Sequence, residues 1–184
     1  MLHKCKMTIL DKKLYPELQE AYCADPQSGP CPCYHVGDQY LFERYTLIKA
    51  THGIDGVAGG PGRPHCSELW DAVSRYIYTA LQGGSIMRGW MKDERVMIAC
   101  CSDGTRPVIV KLERLDYCAA YLEGNRSRED NLRIADALKE IPAVQEIIFC
   151  ERYVEIYLEH DLPEETIRQA IEGCGVYHLV KIDG

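Results

Sequence analysis

No stretch of this chain stays apolar long enough to cross a bilayer; none reaches the roughly 18–20 residues that a spanning helix needs. The opening residues, MLHKCKMTILDKK, alternate and carry charge, and they lack the apolar core of a secretory signal. The expectation is a cytoplasmic protein without a membrane partner. Phosphate loops are missing as well. Neither a Walker A nor a G-x-G-x-x-G pattern occurs, and GGPGRP (59–64) is a turn sequence rather than a cradle. There is no Ser-His-Asp signature and no internal repeat.

Positive charge is in short supply where nucleic acid would need it. Residues 1–115 carry 14 Lys and Arg against 13 Asp and Glu, whereas residues 116–184 carry 7 against 15. The acidic C-terminal part repels phosphate backbones and anionic surfaces, so no nucleic-acid partner is expected. The uneven charge also marks two units, read here as 1–115 and 116–184.

Cysteine is plentiful, with ten in 184 residues. A reducing compartment makes a disulfide framework a poor reading and leaves buried thiols, metal ligands or redox thiols. Strictly anaerobic cytosol tolerates such a load most easily.

The first part reads as mixed α+β. KCKMTILDK (4–12) alternates as a strand with Cys5, Met7 and Ile9 on one face. YPELQEAY (15–22) is a short helix with an apolar face of Leu18, Ala21 and Tyr22. The Pro- and Gly-rich run 24–38 and the Gly-rich run 52–64 are loops. SELWDAVSRYIYTALQGG (67–84) is the strongest helix of this part, with Ser67 as N-cap and Gly83 and Gly84 at its end. A β-hairpin follows, ERVMIACC and VIVKLER around SDGTRP.

Residues 116–184 run strand, helix, strand, strand, helix, strand, which is the βαββαβ ferredoxin-like order. DYCAAYLE opens it as a new strand. Leu132, Ala135, Leu138 and Ile141 face the core from the first helix, and Ser127 and Asp130 form its capping box. Asp161 and Glu164 are placed as a capping box for the second helix. Its inner face carries Ile167, Ala170, Ile171 and Cys174.

Cys5, Cys118, Cys150 and Cys174 sit where a small buried side chain is expected. Cys23, Cys31, Cys33, Cys66 and Cys101 instead lie in loops or at element ends, where ligands gather. Alternation along ERVMIACC places Val96, Ile98 and Cys100 inward and leaves Cys101 the freer thiol, unless a bulge reverses the faces. The spacing matches no zinc ribbon, finger or ferredoxin run. Three readings stay open. The first is a metal or iron–sulfur centre drawn from Cys23, Cys31, Cys33, Cys66, Cys100 and Cys101. The second is a thiol redox or sulfur-transfer enzyme using Cys66 or Cys101, with His65 as the local base. The third is an interaction protein with inert cysteines. His35 and His65 stand near loop cysteines, and His178 reads as packing.

On the C-terminal sheet, Cys118, Ala120, Leu122, Val154, Ile156 and Leu158 take the helix-facing positions. Tyr117, Tyr121, Tyr153 and Tyr157 then share the open face, with Tyr177 near them. Such a face implies a buried contact, with the first unit or in a homodimer.

Two resemblances add to this. GPCP (29–32), Cys66 to Trp70, GG with WMK (83–84, 90–92) and ACCSDGTRPVIVKLER (99–114) resemble an uncharacterised family of small cysteine-containing proteins of strict anaerobes. That resemblance groups Cys31, Cys66, Cys100 and Cys101 and implies no known chemistry. LKEIPAVQEI (138–147) and LPEETIRQAIEGCGV (162–176) resemble a heavy-metal-associated domain. Such domains hold metal by a CxxC in the first strand–helix loop. Here that loop reads LEGNRSRED (122–130), so the resemblance implies the scaffold without its metal transfer.

Overall fold

The computed structural model describes residues 1–44, 49–50, 66–124, 127–175 and 177–184. The Gly-rich run 52–64 and His65 therefore lie outside the described residues. The chain divides into two compact units: His3–Arg114, and Leu115–Gly184 together with Met1–Leu2. Helices and antiparallel strand pairs occur in both, so the class is mixed α+β. Among the described residues no helix is long and apolar enough to cross a membrane.

The first unit contains β1 (Leu2–Lys12), α1 (Pro16–Tyr22), β2 (Gln39–Phe42), β3 (Lys49–Ala50), α2 (Ser67–Leu81), β4 (Val96–Cys100) and the first part of β5 (Val108–Glu123). Its strands run in the order β3-β2-β1-β5-β4. β1 alternates as its sequence demands: Cys5, Met7 and Ile9 are buried. Tyr40 and Phe42 join them, because Met7 pairs with Tyr40 and Cys5 with Phe42. α2 lays Leu69, Val73, Ile77 and Ala80 into this core at helical spacing. The burial of each of the larger side chains stabilises the unit by about 1.5–3 kcal/mol.

The end of α2 is fixed twice. Gly83 takes a φ of 75°, and a side chain there would strike the His3 ring. Arg114 donates Nη1–H bonds of 2.8 Å to the carbonyls of Gly83 and Gly84. The start of α2 differs from expectation. Cys66 occupies the N-cap and Ser67 is the first helical residue, and no side-chain cap bond forms.

β5 also corrects the sequence reading, which placed one strand before residue 115 and a new one after it. A single strand runs from Val108 to Glu123. Val108, Val110, Leu112, Asp116, Cys118 and Ala120 are all buried and all even-numbered. Ala119 is buried as well, Arg114 is not, and the pairing shifts register between Tyr121 and Leu122, but no Gly or Pro interrupts the strand.

The second unit takes the rest of β5, then α3 (Arg128–Lys139), β6 (Val144–Phe149), β7 (Val154–Leu158), α4 (Glu164–Glu172) and β8 (His178–Asp183). Its strands lie in the order β8-β5-β7-β6, and every neighbouring pair is antiparallel. Cys118, Ala120, Val154, Ile156 and Leu158 form one core with Ile134 and Leu138 of α3 and Ile167 and Ile171 of α4. Ser127 caps α3 by accepting from the Asp130 N–H at 3.1 Å. Leu132, expected inward, is 57% exposed, and Ile134 takes the core position instead. α4 has Pro163 at its N-cap and no side-chain cap bond, so the Asp161–Glu164 box does not form. Arg168 steadies that helix by bonds to Glu164 at 2.6 Å and to the Leu179 carbonyl at 3.0 Å.

Candidate thiol pocket

Three short segments of the first unit carry the site: the loop after α1, the start of α2, and the turn between β4 and β5. The first is held by an unexpected residue. Gln19, not the apolar trio of α1, faces inward and is 2% exposed. Its side-chain amide donates to the Gly29 carbonyl at 3.0 Å and accepts from the Gly29 N–H at 3.1 Å. Leu18 and Tyr22 consequently face outward. Gly29 has a φ of 69°, which turns the chain into Cys31-Pro32-Cys33-Tyr34. Lys12 donates Nζ–H to the Tyr34 carbonyl at 2.8 Å and closes the loop against β1.

The hairpin turn is built on Asp103. Its carboxylate accepts from the Thr105 N–H and hydroxyl, both at 2.9 Å, and from the Arg106 side chain at 3.0 Å. Arg106 also reaches the Ser28 carbonyl at 3.5 Å. Burial alone would raise the Asp103 carboxyl. The bonds from Thr105 and Arg106 outweigh it and hold the group below its ordinary value. Ser102 donates its hydroxyl to the Glu68 carboxylate at 2.6 Å and so ties the turn to α2.

These three segments bring Cys31, Cys33, Cys66 and Cys101 around one cavity of about 140 Å³. Tyr34, Glu68, Asp103 and Arg106 complete its polar wall. Cys31 and Cys101 are buried at 9% and 7% exposure, while Cys33 and Cys66 are half-buried. Cys31 and Cys66 are the neighbours that bear on the Cys33 thiol. Burial, and then these two neighbours, push the Cys33 thiol up. Burial does the same for Cys101, against the opposing N–H of Val108, which bonds its sulfur at 3.3 Å. The Tyr34 hydroxyl is raised by burial and then by Cys66.

The hairpin register reverses the expected faces of the cysteine pair. Met97 stands opposite Leu112, Ala99 opposite Val110, and the Cys101 N–H bonds the Val108 carbonyl. Directly opposed residues share a face, and Val108, Val110 and Leu112 form the buried one. Met97 and Cys101 therefore go inward, whereas Ile98 and Cys100 are exposed.

The remaining candidates lie elsewhere. Cys23 is half-buried at the C-cap of α1 and does not line the cavity, nor does the exposed Cys100. The His35 ring is exposed, with Nδ1 3.7 Å from Asp38. His178 is also exposed rather than packed, and its Nδ1 lies 2.9 Å from Glu172. Tyr34, Glu68, Asp103 and Arg106 were not expected. Their only sequence signal is adjacency to Cys33, Cys66 and Cys101, together with the Asx-turn pattern Asp103-x-Thr105.

The donor set is four soft sulfurs, which suits zinc, copper(I) or iron–sulfur ligation rather than magnesium or calcium. Among the described residues no three metal-binding side chains converge as they stand into a ready single-ion site. Around one zinc ion, bonds of about 2.3 Å would draw the sulfurs to roughly 3.8 Å from each other.

On the second unit, Tyr117 stacks on Tyr157 with centroids 5.4 Å apart, and Tyr121 lies 5.5 Å from Tyr153. Glu155 sits between the pairs and accepts from the Tyr157 hydroxyl at 2.7 Å. Tyr177 belongs instead to the helix-side core.

Comparison of the chain with protein-family models, curated proteins and solved structures found no match.

Proposed function

We propose that the first unit binds a thiolate-held metal centre, a soft transition-metal ion or an iron–sulfur cluster, through Cys31, Cys33, Cys66 and Cys101. The observation that carries this reading is the meeting of four cysteines from three separate segments at one cavity. Cys31 and Cys101 also belong to the apolar core, with Cys33 and Cys66 packed against it, and the cavity they line adds the carboxylates of Glu68 and Asp103 and the Arg106 guanidinium. An incoming cation draws the four thiols together and displaces their protons. Arg106 offsets part of the resulting negative charge. Tyr34 lines the same cavity and would donate a hydrogen bond to a ligand sulfur.

The second unit is read as a ferredoxin-like domain used for interaction. Its element order and the strand order β8-β5-β7-β6 support this. The loop that would carry a CxxC in a heavy-metal-associated domain has none. The paired tyrosines do not form the open face expected of them, since Tyr157 and Glu155 are buried and Tyr117, Tyr121 and Tyr153 are half-buried.

The test is metal and acid-labile sulfide content, with a UV–visible spectrum, on protein purified without oxygen. A stoichiometric centre that is lost in Cys31→Ser, Cys66→Ser and Cys101→Ser is the expected result. A colourless, metal-free and stably folded protein that takes up neither zinc nor iron ends the proposal.

A further inference from the structure

The four pocket cysteines are not equivalent. Cys31 and Cys101 are buried, whereas Cys33 and Cys66 are half-buried and line the same cavity from different segments. The two more accessible pocket thiols thus face one cavity. From this we infer a second chemistry for the site: Cys33 and Cys66 form a dithiol–disulfide pair that exchanges with low-molecular-weight disulfides.

The alternative partner for Cys33 is Cys31, and geometry disfavours it. Only Pro32 separates the two, and its ring fixes the backbone between them. A bridge across one residue with a fixed ring between its ends has little backbone freedom to reach the relaxed disulfide dihedral. Cys66 comes from a different segment, the N-cap of α2, and carries no such restriction. Its side chain is also uncommitted to the helix, since it makes no cap bond.

The reaction balances with a disulfide such as oxidised glutathione as oxidant. One cysteine thiolate attacks a glutathione sulfur and displaces a glutathione thiolate. The second cysteine thiolate attacks the mixed disulfide at the protein sulfur and displaces the other glutathione. The protein loses two electrons and two protons, and one disulfide becomes two thiols. The pair and a bound centre exclude one another wherever both sulfurs serve as ligands. The inference uses the same pocket as the metal reading, but it does not require a metal.

The experiment treats chelator-stripped, fully reduced full-length protein with oxidised glutathione and maps disulfides by mass spectrometry without reduction. Under native conditions the expected product is one dominant Cys33–Cys66 link. It persists in Cys31→Ser and Cys101→Ser, and a lasting glutathione adduct replaces it in Cys33→Ser and Cys66→Ser. In urea the selectivity disappears. A dominant Cys31–Cys33 link, a stable glutathione adduct on the wild-type pair, or no link while Cys100 is modified would overturn the proposal. Metal content is read separately. A Cys33–Cys66 link in protein that takes up no metal refutes the metal reading alone, and metal uptake without the link refutes this one alone.

Discussion

The side-chain amide of Gln19 and the backbone of Gly29 exchange two hydrogen bonds, so a polar residue holds a buried position on a short helix. The cost of burying that amide is offset because both its ends are satisfied. The pair sets where the loop carrying Cys31 and Cys33 begins. Replacing Gln19 by Leu leaves the Gly29 N–H and carbonyl without this partner. The expected loss is about 1–3 kcal/mol of unfolding free energy, read by urea denaturation. Metal uptake should fall more steeply than stability, because the loop loses its anchor.

Cys100 and Cys101 are neighbours in sequence and opposites in environment. Native alkylation with iodoacetamide at pH 8, followed by peptide mapping, should label Cys100 early and Cys101 late. Cys5 should label with the last group. Its thiol is pushed up to about 12 by burial, against the backbone bond from Glu113. Cys100→Ser should leave metal content unchanged, while Cys101→Ser removes it. Equal labelling rates for the two cysteines would show that the hairpin register is wrong.

That register explains how much of the molecule could be read from the chain. The helices 67–81 and 128–139 announce themselves by apolar spacing, and Ser127 by its cap. β1 shows its buried face directly, because Cys5, Met7 and Ile9 alternate with charged or polar residues. The β4 segment gives no such signal. Val96, Ile98 and Cys100 are as apolar as Met97, Ala99 and Cys101, so hydropathy cannot choose between the faces. The choice is made by the cross-strand partners Leu112, Val110 and Val108, which depend on the turn length. α1 misled for a related reason: Leu18 and Tyr22 look like its core face, but the deciding contact is a polar one to a glycine ten residues away. The pocket was legible as a set of cysteines at element ends. It was not legible as a selection of four among six, since Cys23 and Cys100 differ from the rest only in three dimensions.

Asp103 gives the turn beside the pocket an acid limit. Its folded-state pKa lies below the ordinary aspartate value, because the Thr105 and Arg106 bonds outweigh burial. A depressed carboxyl contributes stability that is fully present above its unfolded value, near 3.9. That contribution is lost as pH falls through the folded value. Asp93, held down by the Arg95 side chain, titrates in the same region, so the useful quantity is a difference. Wild type should be more stable than Asp103→Asn at pH 7, and the gap should close below about pH 4. Chemical denaturation from pH 7 to pH 3 measures it. A gap independent of pH would mean that the carboxylate charge does not hold the turn.

The raised thiols make the opposite prediction for metal binding. Cys33 and Cys101 are held above their ordinary value, chiefly by burial, so both carry protons at neutral pH. A metal takes the thiolate form, and loading the pocket must therefore expel at least the protons of these two groups. Affinity should rise with pH from 6 to 8, by about two powers of ten per unit if two protons leave. Zinc titration in lightly buffered solution with a pH indicator reads the released protons directly. Competition with a chromophoric chelator at several pH values gives the slope. Cys33→Ser should lower the proton count and the slope together, while Cys100→Ser should change neither. Zinc bound with no pH dependence would place its ligands outside the thiol pocket.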